Sequence, residues 1–197
     1  MKYDIIFAGV GGQGVLSMAA VIGRAAVSEG LQAKQSEVHG MAQRGGAVQA
    51  HLRLSDRGIA SDLIGRGAAD LILSLEPLEA LRYLNYLSPQ GVLVTAAEPF
   101  DNISNYPDVR TLLGHVRRLP HGVAIEAAKL AEQAGDVQTV NTVMVGAASP
   151  FLPMATEHLE AAVRESFERK GATVVEQNLA AFRLGRAAAR TAEPVRS

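Results

Sequence analysis

Gly9-Val10-Gly11-Gly12-Gln13-Gly14 sets glycine at the spacing G-x-G-x-x-G. Without a Cβ, such a turn lets backbone N–H groups come close to a ligand, and at a helix start those unpaired groups favour phosphate or carboxylate. On this reading Gly9 permits the tight turn, Gly11 and Gly12 admit the ligand, and Gly14 lets the helix pack close to the sheet. The same glycines could also serve only a sharp strand-to-helix turn. A second stretch, Ser36 to Gly46, places Glu37, His39, Gln43 and Arg44 among Gly40, Gly45 and Gly46. The planar fork of Arg44 suits a phosphate or carboxylate, and Glu37 and His39 could shuttle a proton or hold Arg44 in place. The plainer alternative is a solvated loop with Arg44 in a salt bridge.

Both stretches need elements that bring them to one place. Tyr3 to Ala8 reads as a short buried strand, and Val15, Met18, Ala19, Ile22, Ala25 and Ala26 fall at helical spacing, with Gly30 as the C-terminal cap. Leu31 to Gln35 reads as a second strand ending at the same sheet edge as the glycine turn, where open α/β sheets bind ligands, and residues 36–46 as an ordered loop. Ala47 to Leu54 alternates apolar and polar residues, the pattern of a half-exposed strand near a sheet edge. Asp70 to Leu75 and Val92 to Thr95 read as buried strands joined by a helix from Pro77 to Leu87 and a turn at Ser88 to Gly91. The polar run from Pro99 to Pro107 reads as loop, followed by a strand at His115 to Leu119 and a helix over Val123 to Ala134. The last third reads as helices over Gln138 to Ala148, Glu157 to Arg169 and a final one. In the last, Thr173 and Glu176 have capping-box spacing, and Val175, Leu179 and Phe182 share a face. The fold class is α/β, three layers α/β/α around a mostly parallel, Rossmann-like sheet with a helical C-terminal third. A single domain over 1–190 with a frayed tail at 191–197 is expected.

Composition narrows the chemistry. Of 197 residues 48% are hydrophobic, enough for a core, and 19 Lys and Arg balance 20 acidic residues, so no net field favours nucleic acid or an anionic membrane. The absence of cysteine excludes disulfides, a thiolate nucleophile and an iron–sulfur cluster held by these residues. The N-terminal apolar run is interrupted by glycines, unlike a signal peptide, and no stretch is long and apolar enough to span a bilayer, which leads us to expect a cytoplasmic protein. His51, His115, His121 and His158 show no metal-ligand spacing and read as surface or capping residues, and no metal site is expected. The second strand lacks the terminal acid that binds a ribose in dinucleotide enzymes, since Glu37 lies one step into the loop. Glu76, just after a buried strand, and Asn141, opening a helix, are second-rank site candidates, with a helix-start acid and an N-cap as their plainer roles. No residue earns a catalytic assignment.

The two stretches together, with Ala69 to Glu76, Asn141 to Ala147 and Glu176 to Phe182, resemble the γ-type domain of 2-oxoacid:ferredoxin oxidoreductases over nearly the whole chain to about residue 187, and among them the free-standing subunit of the indolepyruvate enzymes. The resemblance implies oxidation of an arylpyruvate with coenzyme A to an aryl-acetyl-CoA, CO2 and reduced ferredoxin. It also implies that thiamine diphosphate, magnesium and the iron–sulfur clusters belong to a larger partner subunit. Gly11, Gly12, Gln13 and Gly14 would then face the ligand or the partner's active site, and Glu37, His39, Gln43 and Arg44 would line the same cleft. The competing readings are a stand-alone nucleotide- or flavin-dependent enzyme and a regulatory module that binds coenzyme A or another anion without oxidoreductase activity.

Overall fold

The computed structural model describes residues 1–38, 45–100 and 103–192. Its six-stranded sheet has the order β2-β3-β1-β4-β5-β6. The strands are β1 (Lys2–Val10), β2 (Gln32–Val38), β3 (Ala47–Ser55), β4 (Ala69–Ser74), β5 (Leu87–Ala96) and β6 (Gly122–Ile125). β1, β4, β5 and β6 are parallel, while β3 runs antiparallel to both β1 and β2. β2 therefore points the same way as β1 although β3 lies between them, and Val38 and Ala8 sit level on the two flanks of Gln49. The ends of β1 and β2 share one sheet edge, as the sequence predicts.

Period-two burial explains the layers. Ile5 and Phe7 of β1 and Ala50, Leu52 and Leu54 of β3 face a large core, while Ile6, Ile72 and Leu93 enter a smaller one on the opposite face. The large core is closed by α1 (Val15–Ser28), α4 (Ala127–Gln133), α5 (Val140–Ala148), α6 (Thr156–Phe167) and α7 (Ala172–Ala192). The smaller core takes Ala80 of α2 (Pro77–Arg82) and Val116 of α3 (Val109–Arg118). Strands buried on both faces read as continuous apolar runs, which is why β1 and β4 are legible. α1 ends as predicted at Gly30, where the N–H of Gly30 donates to Val27 O at 3.0 Å and that of Leu31 to Ala26 O at 3.0 Å, the paired bonds of a left-handed cap. Val175, Leu179 and Phe182 are all buried on one face of α7.

Several expected elements are corrected. Ser36, Glu37 and Val38 continue β2 instead of opening a loop, because they pair with His51, Ala50 and Gln49 of β3. Ser88 to Gly91 lies within β5, where the pairing with β4 shifts register and leaves Pro89 and Gln90 exposed. The helix after Pro77 is shorter, ending at Arg82 before a 3-10 turn over Leu84–Tyr86. His115 to Leu119 is not a strand: Asp108 accepts from Thr111 N at 2.9 Å and starts α3, with Leu112 and Val116 buried one turn apart. The strand is Gly122–Ile125, and only then does a helix begin, at Ala127. Thr173 lies inside α7, which starts at Ala172, so it is not the N-cap; the helix runs on to Ala192, past the expected boundary at 190. His51 is buried rather than superficial, its Nδ1 accepting from Ile64 N at 3.0 Å.

Candidate functional site

The glycine stretch divides its labour differently from the sequence expectation. Gly9 is still inside β1, opposite Val48, and makes no turn. A Cβ there would come within 2.8 Å of Val15 Cγ2 and 2.9 Å of Gln13 Oε1, so Gly9 supplies room for the helix start to fold back on the strand. The turn itself is Gly11 to Gly14, with φ of 102° at Gly12 and 78° at Gly14, in the left-handed region that favours glycine. Gly14 is the N-cap of α1, and among the described residues no side chain caps that helix. Among the described residues the N–H groups of Gly12, Gly14, Val15 and Leu16 have no hydrogen-bond acceptor, and the space beside Gly12 is open. Such a helix start presents donors and the positive end of its dipole to whatever enters.

Backbone hydrogen bonds join the two predicted stretches. Gly11 N donates to Gly46 O at 2.8 Å and Gly45 N to Gly11 O at 3.3 Å, continuing the β1–β3 pairing past the strand ends. Glu37, exposed near the end of β2 and accepting from Gln35 Nε2 at 3.3 Å, forms another wall. A cleft of about 430 Å³ lies between them, its lining among the described residues including Gly11, Gly12, Gly14, Leu16, Glu37 and Val48. Its size falls in the range of about 300–1,000 Å³ typical of small-molecule clefts. The wall is mainly apolar with backbone donors at one end, suited to a ligand with an anionic or carbonyl group and a less polar arm. His39, Gly40, Gln43 and Arg44 lie outside the described residues.

The other candidates have different tasks. Gln13 turns its side chain inward: Oε1 accepts from Val10 N at 2.7 Å and Nε2 donates to Leu75 O at 3.3 Å, satisfying backbone groups at the ends of β1 and β4. Asn141 is the second residue of α5 and not its N-cap, which is Thr139. Its Nδ2 reaches across to Gln13 O at 3.0 Å, Gly14 O at 3.2 Å and Ser17 Oγ at 2.9 Å. Glu76, 1% exposed, is a helix-start acid: it caps α2 by accepting from Glu79 N at 2.7 Å, and Tyr106 donates its hydroxyl to the other carboxylate oxygen. Burial, then the bond and charge of Glu76, push the Tyr106 hydroxyl well above its usual range. The sequence reading missed Ser17, Tyr106 and the exposed Leu16. Ser17 carries the faint signal of a hydroxyl in the first helical turn, whereas nothing local ties Tyr106 to a partner thirty positions away.

Comparison with known proteins fits this architecture. Residues 4–188 match the family described as Pyruvate ferredoxin/flavodoxin oxidoreductase. The indolepyruvate oxidoreductase subunit IorB of Pyrococcus horikoshii is 39% identical over 199 residues, covering 96% of each chain. The γ subunit of a keto/oxoacid ferredoxin oxidoreductase from Geobacter sulfurreducens superposes with a TM-score of 0.70 at 27% identity, covering 96% of this chain and 99% of that one. The 2-oxoglutarate:ferredoxin oxidoreductase of Magnetococcus marinus, solved with 2-oxoglutarate, coenzyme A and succinyl-CoA bound, shares the fold with a TM-score of 0.75 at 23% identity; this chain covers 31% of it. With nearly its whole length matched, the chain belongs to the pyruvate ferredoxin/flavodoxin oxidoreductase family.

Proposed function

We propose that this chain is the subunit without redox cofactors in a 2-oxoacid:ferredoxin oxidoreductase. The complex converts an arylpyruvate such as indolepyruvate, with coenzyme A, to the aryl-acetyl-CoA and CO2, passing the released electrons to ferredoxin. The observation that carries the reading is the cleft in which Gly11, Gly12 and Gly14 meet Glu37 and Val48, on a chain matched over nearly its full length by an indolepyruvate oxidoreductase subunit. The residues do not fit a bound cluster, since the sequence has no cysteine, and the described residues contain no group of three metal-ligating side chains. In the complex, thiamine diphosphate with magnesium would supply carbanion chemistry and the clusters would supply electron transfer, both from a larger partner subunit.

This chain's part is to bind and orient. The N–H groups of Gly12, Gly14, Val15 and Leu16, unpaired among the described residues, would hold an anionic or carbonyl group of coenzyme A or of the oxoacid, and Leu16 and Val48 would keep water from the less polar arm. A cytoplasmic location accords with this role; among the described residues no helix is long and apolar enough to cross a membrane. Residues 1–190 would act as one unit.

The test is to tag the full chain in its native cells, purify it gently, identify co-eluting chains by mass spectrometry, and assay ferredoxin reduction with indolepyruvate and coenzyme A. A brown complex with a larger cysteine-rich chain and activity dependent on both substrates is expected. A colourless chain without a partner would overturn the reading. Within the complex, Arg44→Ala is expected to raise the KM of the oxoacid or of coenzyme A without loss of assembly, and unchanged kinetics for both would remove Arg44 from the cleft.

A further inference from the structure

We infer that Asn141 is the positioning residue that sets the glycine turn for binding, acting from behind the cleft without touching the ligand. The inference rests on the proposed function, because the turn it sets is the one that would bind. Gly11 to Gly14 carries no side chain able to fix its own carbonyls except Gln13, and Gln13 is committed to Val10 N and Leu75 O. On the helix side Ser17 N and Ser17 Oγ donate to Gly14 O at 3.0 and 2.7 Å, which leaves Gln13 O and Ser17 Oγ to be held from elsewhere. Asn141 Nδ2 faces three oxygens there, Gln13 O, Gly14 O and Ser17 Oγ, across 128 residues of sequence in the first case. An amide nitrogen has two hydrogens, so it is surrounded by more acceptors than it can serve singly, and no carboxylate could replace it there.

Gly14 and Asn141 fit each other. A Cβ at Gly14 would lie 2.6 Å from Asn141 Nδ2, so the glycine makes the space into which the amide reaches. The amide is carried by a rigid support: α5 is buried against α7 so closely that a Cβ at Gly185 would lie 1.9 Å from Val143 O. Among the described residues Asn141 does not line the cleft, so its action is on the direction of the Gly14, Val15 and Leu16 N–H groups.

The test uses the complex carrying Asn141→Asp or Asn141→Ala. Aspartate keeps the shape and turns the donor into an acceptor facing three oxygens. The KM of coenzyme A is expected to rise about tenfold in both, with kcat within about twofold, and the Asp variant is expected to be the worse at neutral pH. Lowering the pH is expected to restore the Asp variant alone, since a protonated carboxyl can donate again. A wild-type KM in the Asp variant, or loss of kcat with KM unchanged, would overturn the inference. Ser17→Ala, which removes one acceptor of Asn141 together with the hydroxyl that donates to Gly14 O at 2.7 Å, is expected to raise KM about twofold and keeps the question open to measurement should the Asn141 variants not assemble; an unchanged KM there would count against it. Hydrogen exchange on the full chain separates this idea from the proposed function. Asn141→Ala should speed exchange of the Ser17 amide, which donates to Gly14 O at 3.0 Å, relative to β4 whether or not a partner exists, and unchanged exchange would refute the brace even if the complex is active.

Discussion

Two strand-to-helix turns leave the same sheet edge side by side, after β1 and after β4, and they are built on opposite plans. The turn after β4 is closed by side chains: Pro77 opens α2, the buried Glu76 caps it through Glu79 N, and Tyr106, thirty positions on, donates to the remaining carboxylate oxygen. The turn after β1 has no side-chain cap, two glycines at positive φ, and open space beside Gly12. Gln13 links the two, donating to Leu75 O in the neighbouring turn. The same topological step thus yields a sealed helix start where the sequence supplies a capping acid and a receptive one where it supplies glycine. The lesson is that a site at this edge is marked by what the local chain leaves unsatisfied, with the bracing moved to distant residues.

The largest effect is expected where the closed turn is opened. Glu76→Ala removes the cap of α2 and strands two donors, the buried Glu79 N and the half-buried Tyr106 hydroxyl. Loss of an N-cap together with unpaired buried groups costs about 2–4 kcal/mol. Urea denaturation of the full chain measures it. A cost below about 0.5 kcal/mol, the scale of a surface substitution, would show that the two turns do not differ as described.

Filling the open turn should act on function before stability. Gly12→Val meets no atoms, but its φ of 102° is one a β-branched residue adopts at a cost of about 1–3 kcal/mol. The valine would occupy the space beside the unpaired N–H groups. The chain is expected to fold with a lowered melting temperature, while turnover of the assembled enzyme falls more than about tenfold, beyond a one-step loss in binding. Normal assembly and turnover would reduce the glycine turn to a structural device.

Much of this contrast could be read in the sequence, and the reason is local. The strand, turn and helix around Gly9 to Gly14 follow from an apolar run buried on two faces, glycine spacing and a 3.6-residue period, each contained in a few neighbouring residues. That the ends of β1 and β2 share one sheet edge was also legible, because the second predicted strand closes just before the polar stretch as the first closes at the glycines. The reach of Gln13 Nε2 to Leu75 O was not legible, since it answers a backbone group sixty-two residues away. Nor was the brace by Asn141, whose partners lie on another helix, or the insertion of β3 between β1 and β2, which depends on pairing across the sheet. His115 to Leu119 misled because five residues with only Val116 and Leu119 apolar are too few to fix a period, and the deciding signal was the cap at Asp108 seven positions earlier.

The smallest effect expected is a difference in how the two turns respond to pH. Gly11 to Gly14 has no titratable side chain, whereas the closed turn holds Glu79, 3% exposed, with Arg82 Nε donating to its Oε1 at 3.0 Å. Burial holds the Glu79 carboxyl above its ordinary value of 4.5, with the Glu76 charge adding and Arg82 opposing. A raised carboxyl pKa favours the protonated form in the fold, so its contribution is fully present below 4.5 and is lost as pH rises through the folded value. Glu79→Gln keeps an oxygen for Arg82 and cannot titrate, so the fall in stability across that window should flatten in the variant. Denaturation midpoints from about pH 4 to about pH 8 measure the slope. If wild type and variant keep the same slope, the buried acid of the closed turn is electrostatically silent, and the two turns differ in hydrogen bonding alone.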